Sequence, residues 1–147
     1  TELIASMYAS GELGYRLAVT AVDIDDTYHR YIGVISRHVD HRIANIYTME
    51  ETYDVVTASH VIEHVPQPVK FCRRLQELAR GAAFIVAPFN EPRDRLTAGH
   101  RNVIDQAFLD EVQPRRYEVV RSPGWGAMFD PPYEMLIAEL AGAATAD

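Results

Sequence analysis

His60, Glu63 and His64 fall within one short stretch, SHVIEHV, and another histidine, His100, stands further along in GHRN. Imidazole is the side chain whose ordinary pKa lies nearest neutrality, so each of these rings can take up or release a proton at working pH. His60 is the best placed of them, at the end of an apolar run. Two or three histidines with one carboxylate also make a donor set for a divalent ion. The reading adopted here leaves these side chains as turn-formers or acceptor contacts and assigns no metal. A separate acid, Asp23, ends the apolar part of VTAVDID. A carboxylate in such a place can accept from both hydroxyls of a cis-diol, whereas Asp25 and Asp26 suit the cap of a following helix better.

The elements that position these residues alternate along the chain. VTAVDID (Val19 to Asp25), YDVVTAS (Tyr53 to Ser59) and AAFIVAPF (Ala82 to Phe89) are apolar runs without polar alternation. Runs of that kind suit strands covered on both faces, as in a parallel sheet. Between them, Asp26 or Thr27 can cap a helix through about His38, with Tyr28, Tyr31, Ile32 and Ile35 on one face. Pro68 opens a second helix with Val69, Cys72, Leu75 and Leu78 inward and Arg73, Arg74, Gln76 and Glu77 outward, closed by Gly81. VIDQAFLDEV (Val103 to Val112) reads as a third, stopped by Pro114. The end changes character. YEVVRS (Tyr117 to Ser122) and YEMLIAEL (Tyr133 to Leu140) are joined by the Gly- and Pro-rich SPGWGAMFDPP, which predicts an antiparallel pair, and the tail AGAATAD is expected to fray. The fold class is therefore α/β, a Rossmann-like doubly wound, mostly parallel sheet with an antiparallel last strand pair. In such sheets ligands bind beyond the carboxyl ends of the strands, where Asp23, Ala58, Ser59 and His60 fall.

A chain of 147 residues that is 48% apolar has enough material for one core, so residues 1–147 are read as one domain. A net charge of −7 opposes sequence-independent binding to a phosphate backbone, so no nucleic-acid partner is expected. No apolar run approaches the roughly eighteen residues needed to cross a bilayer, and no membrane association is expected. The single cysteine, Cys72, has no internal partner and fits a reducing cytoplasm. Oligomeric state is not legible.

The passage from Tyr53 to Pro92, YDVVTASHVIEHVPQPVKFCRRLQELARGAAFIVAPFNEP, resembles the middle of class I S-adenosylmethionine-dependent methyltransferases of the small-molecule type. The shared order is a strand ending in Ser, an aliphatic-Glu-His turn, a Pro-started helix, a glycine, and an apolar strand ending in Pro. The resemblance implies S-adenosylmethionine as cofactor, with Asp23 on its ribose hydroxyls and Ile24 beside it. It places Thr48 and Met49 near the adenine, Ala58 and Ser59 at the floor of the site, and Ala9 and Gly11 in the phosphate-free counterpart of a glycine loop. Methyl transfer from a sulfonium needs proximity and orientation above all, with a general base only when the acceptor must lose a proton. His60, His64 and His100 are the residues to contact a small-molecule acceptor. The Glu-His pair is also similar to that of family members that use no metal.

The N-terminal end departs from this pattern. In LIASMYASGELGYRLA, Met7 and Ala9 stand where two glycines of the family loop would be, and only Gly11 is in place. Glycines there let a backbone approach the ligand closely. From Gly11 to Val19 there is also too little chain for a helical crossover, which takes about ten to twelve residues. The expectation is an N-terminal part that is incomplete. The tetrapeptide DPPY, Asp130 to Tyr133, matches the motif with which amino-group methyltransferases hold an exocyclic amine, but it follows a turn-rich stretch instead of a buried strand and is read as a connection. The leading reading is methyl transfer to a small-molecule acceptor. The alternative is a degenerate methyltransferase fold without catalysis, acting as a binding or scaffold domain.

Overall fold

A computed structural model describes residues 17–27, 38–122 and 133–143. The chain divides into two compact units, Thr1–Met49 and Glu50–Asp147.

In the first unit, strands β1 (Val19–Asp23) and β2 (Val39–Ile43) pair in parallel, with Val19 opposite Val39 and Asp23 opposite Ile43. Strand β1 stops two residues short of the expected Asp25. The Asp25 N–H donates to Asp23 Oδ1 at 3.0 Å, and the Thr27 N–H and hydroxyl both donate to Asp25 Oδ1. Short acidic side chains thus capture the backbone into turns and end the ladder. Those bonds from Thr27 also hold the Asp25 carboxyl below its ordinary range. Strand β2 was not expected, because Asp40, His41 and Arg42 give VDHRI no apolar run. Its backbone pairing with β1 forms it regardless. A single 3-10 turn, Ile46–Thr48, follows, with the Asn45 side chain accepting from the Tyr47 N–H. Residues 28–37, which the helix reading covers, lie outside the described residues, as do Ala9 and Gly11.

The second unit holds strand β3 (Tyr53–Ser59), helix α1 (Pro68–Leu78), strand β4 (Ala79–Phe89), helix α2 (Gln106–Val112), and strands β5 (Arg116–Ser122) and β6 (Tyr133–Ala141). The sheet runs β3-β4-β6-β5. Strand β3 is parallel to β4, and β6 is antiparallel to both β4 and β5, so the antiparallel closing pair read from the sequence forms. Helix α1 lays Phe71, Cys72, Leu75 and Leu78, at spacings of one, three and three, against the sheet. Facing it, Ala83, Ile85 and Ala87 of β4 and Leu136, Ala138 and Leu140 of β6 are buried, every second residue as a strand requires. Burial pushes the Cys72 thiol up to about 12, so it stays a protonated apolar filler at neutral pH. No helix among the described residues is long and apolar enough to cross a membrane.

Further boundaries differ from the sequence reading. Helix α1 ends at Leu78, and Gly81 lies inside β4 instead of closing the helix. A Cβ on Gly81 would stand 3.0 Å from the Asp54 carbonyl oxygen, and one on Gly142 would stand 2.6 Å from that of Ala79. The two glycines let the end of β6 close on the start of β4, where the Gly142 N–H donates to the Gly81 carbonyl at 3.0 Å. The first residues of the expected frayed tail are accordingly held. Helix α2 begins at Gln106 and not at Val103, because Asp105 caps it by accepting from the Phe108 N–H. It ends at Gln113, which adopts the left-handed conformation (φ 51°, ψ 64°). That conformation costs an L-residue about 1–2 kcal/mol, partly offset by the greater unfolded-state freedom of glycine. Gln113→Gly is expected to raise stability by about 0.5–1 kcal/mol in urea unfolding; a loss of stability would show that the Gln113 side chain holds the turn.

Candidate functional site

Asp23 and Ile24 lie exposed at the end of β1, and one Asp23 oxygen is engaged by the Asp25 N–H. Thr48 ends the 3-10 turn and Met49 follows it, Thr48 exposed with its hydroxyl donating to the Asn45 carbonyl. These four belong to the first unit.

The second unit gathers the rest. At the carboxyl end of β3, Ala58 is buried and Ser59 exposed. His60 then turns the chain in the left-handed conformation (φ 55°), its N–H donating to the Val86 carbonyl of β4 at 2.8 Å. Beyond β4, Asn90 makes the same kind of turn (φ 55°), and its N–H donates to the Ile104 carbonyl. Two neighbouring parallel strands thus end in sharp reversals side by side, and backbone held in a sparsely populated region often marks a functional turn.

The loops beyond these strands are clasped together. The Arg101 and Asn102 N–H groups both donate to the Glu63 carbonyl, and the Asn102 side-chain amide donates to the Val65 carbonyl at 2.7 Å. His100 and His64 meet edge to face, ring centres 4.8 Å apart. Each ring is fixed from behind. His64 Nδ1 lies 3.0 Å from the Gly99 carbonyl oxygen, and His100 Nδ1 lies 2.5 Å from Glu91 Oε2. Glu91 is buried, and its other oxygen accepts from the Thr97 hydroxyl and N–H. Burial by itself would raise the Glu91 carboxyl; the bonds from Thr97 and His100, with the charge of His100, outweigh it and hold the group below its usual range.

Glu63 sits at the centre. Its side chain is fully buried, and neither oxygen accepts a hydrogen bond. Oε1 stands 3.3 Å from His60 Nδ1 and 4.0 Å from His64 Nε2. The three histidines expected to share a site are therefore arranged around this one carboxylate. Glu91 and Asn102 were not singled out from the sequence. The available signal was an acid directly after an apolar strand, in APFNEP, and an amide in GHRN. The DPPY tetrapeptide lies outside the described residues except for the backbone of Tyr133.

Comparison with known proteins agrees with this architecture. The sequence matches the methyltransferase domain family over residues 3–86, more than half of the chain, and the protein belongs to that family. Coclaurine N-methyltransferase bound to N-methylheliamine and SAH is 15% identical, with a TM-score of 0.70 over 95% of this chain and 63% of that one. Magnesium protoporphyrin IX methyltransferase from Synechocystis PCC 6803 with bound SAM is 13% identical, with a TM-score of 0.59 over 95% of this chain and 64% of that one. The cyclase SpnF is 12% identical, with a TM-score of 0.59 over 92% of this chain and 70% of that one. The chain spans less than two thirds of the length of the two methyltransferases. No curated protein matches it. Likeness at these identities speaks for the fold, which is the Rossmann-like α/β fold of class I methyltransferases.

Proposed function

We propose that the protein transfers a methyl group from S-adenosylmethionine to a small-molecule acceptor. The observation that carries this reading is the collection of His60, Glu63, His64 and His100 where the parallel strands β3 and β4 end, in a chain of the methyltransferase domain family. That end of an open α/β sheet is where ligands bind. Two neighbours of the same fold were solved with SAM or SAH, which supports the cofactor. In this reading Asp23, Ile24, Thr48, Met49, Ala58, Ser59 and the Ala9–Gly11 loop hold the cofactor. The acceptor lone pair attacks the methyl carbon, the carbon–sulfur bond breaks, and the demethylated cofactor leaves as a neutral thioether. Where the acceptor loses a proton, His60 receives it. A cytoplasmic enzyme acting as one methyltransferase-like domain, with no nucleic-acid or membrane partner, is the setting we propose for it.

One observation favours a second reading. Met7 and Ala9 stand in place of loop glycines, as a degenerate, non-catalytic binding domain would tolerate. Calorimetric titration with S-adenosylmethionine, with its demethylated product and with NAD separates the readings. The expected result is saturable binding of the first two, weakened by about 1–3 kcal/mol in Asp23→Ala, the range for hydrogen bonds to a charged group. Folding should be unaffected, since Asp23 is exposed. NAD binding without response to the sulfonium ligand would remove the methyltransferase reading. No binding by any of the three, or equal binding by wild type and Asp23→Ala, would favour the non-catalytic one.

A further inference from the structure

Strand β5 forms one edge of the sheet in the second unit, paired to β6 on one side and to no strand on the other among the described residues. Such an edge presents a row of unpaired N–H and C=O groups, a template for another strand. Charges often blunt an edge by repelling an incoming copy, and in RYEVVRS the charged Arg116, Glu118 and Arg121 are all exposed. Whether they repel or guide a second copy depends on register. Residues opposite each other in a ladder point to the same face, so two identical antiparallel edges continue one sheet only about a two-fold axis through a single residue. An axis at Arg116, Glu118 or Arg121 sets that charge against its own copy, which is destabilising. An axis at Val119 or Val120 leaves Glu118 opposite Val120 or Ser122, without a countercharge. An axis at Tyr117 sets Arg116 of each copy opposite Glu118 of the other, with Arg115 opposite Val119 and no like charges facing.

We propose that the β5 edge is a self-association surface whose partner is a second copy of this chain, added antiparallel about Tyr117. The side chains there suit the role. Tyr117 is 48% exposed and meets its own copy at the axis, as an aromatic cross-strand pair. Arg116 binds Glu139 Oε2 through Nε at 2.6 Å while its side chain stays 80% exposed, so its outer guanidinium N–H groups can reach a second carboxylate. Glu118 lies on the same face as Arg116, two residues on, and makes no ion pair among the described residues. Pro114, with no N–H to give, stands just before the strand and limits the shared ladder to Arg115 through Val119. A ladder that short makes a weak dimer, formed at high concentration. The other edge of the sheet, β3, has one charged residue, Asp54, already bound by Arg80, and so lacks a self-complementary pattern.

This inference does not depend on methyl transfer, and its test reads association directly. Analytical ultracentrifugation over a rising series of concentrations should show a monomer–dimer equilibrium of the wild-type chain. Glu118→Arg sets arginines against each other and should leave the chain monomeric where wild type is mostly dimer; the exposed position keeps the variant folded, which circular dichroism checks. Tyr117→Cys reads the register. Opposed residues of an antiparallel pair have Cα atoms about 4.5–5.5 Å apart, within the range a disulfide spans, so this variant should become a covalent dimer under mild oxidation. Val119→Cys, which faces Arg115 of the other copy, should not, and the native Cys72 is buried. A wild-type chain that stays monomeric throughout would overturn the proposal, as would a dimer that persists in Glu118→Arg. Cross-linking through Val119→Cys and not through Tyr117→Cys would overturn it too, by moving the axis to Val119.

Discussion

Turnover in His60→Ala is expected to fall by about 100- to 10,000-fold for an acceptor that loses a proton, the usual contribution of a positioned general base. The geometry behind this is specific. The imidazole projects from the left-handed turn at the end of β3, with 46% of its side chain exposed, and its Nδ1 stands 3.3 Å from Glu63 Oε1. A buried carboxylate on that side, though it accepts no hydrogen bond, would stabilise the charge that forms when the other nitrogen takes a proton. The exposed ring contributes little to packing, and the melting temperature should barely move. His60→Asn is the companion variant, because asparagine adopts the left-handed conformation readily and keeps the turn. Equal losses in His60→Ala and His60→Asn would mark proton transfer. A loss under tenfold would assign His60 to the turn and leave proximity as the main catalytic device.

Leu136→Ala should destabilise the second unit by about 2–5 kcal/mol, the range for emptying a buried leucine site. Strand β6 is the interior strand of the mixed half of its sheet, paired to β4 and β5, with Leu136 opposite Ala87 on one side and Val119 on the other. Leu136 is fully buried. Small neighbours such as Ala87 and Ala138 have little reach to fill the space, so the cavity term adds to the lost transfer term. Ile137, the next residue, points the other way and is 41% exposed. Ile137→Ala should therefore cost less than about 1 kcal/mol. Urea unfolding of the two variants checks the alternation directly. Similar costs at both positions would mean that the outward face of β6 is also covered in solution.

The sequence by itself determined most of the described strands and the segments that carry the candidate site residues. Tyr53 to Ser59 and the core of β4 carry β-branched and aromatic residues in runs that suit strands, but only β4 is largely covered; in β3 Asp54, Val55, Thr57 and Ser59 are exposed and Ala58 alone is buried. Helix α1 was legible because its apolar residues repeat at helical spacing after a proline, and the SHVIEHV turn carried its histidines in plain view. Strand β2 was not legible, since pairing with β1 is a backbone interaction that tolerates Asp40, His41 and Arg42. Gly81 read as a helix stop because its local neighbourhood looks like one; only the fold shows the Asp54 carbonyl oxygen 3.0 Å from where a Cβ on Gly81 would stand.

The character of the site was a tertiary matter. Nothing in SHVIEHV says that Glu63 is fully buried without a hydrogen-bond donor, because that depends on where the chain returns 35 or more residues later. The return brings the Gly99 carbonyl behind His64, Glu91 behind His100, and the Asn102 amide onto the Val65 carbonyl. The Gly99 carbonyl can only accept, so it keeps a proton on His64 Nδ1. A proton's place on an imidazole follows from its partner in space and not from its neighbours in sequence, and the same holds for what a buried carboxylate can bind.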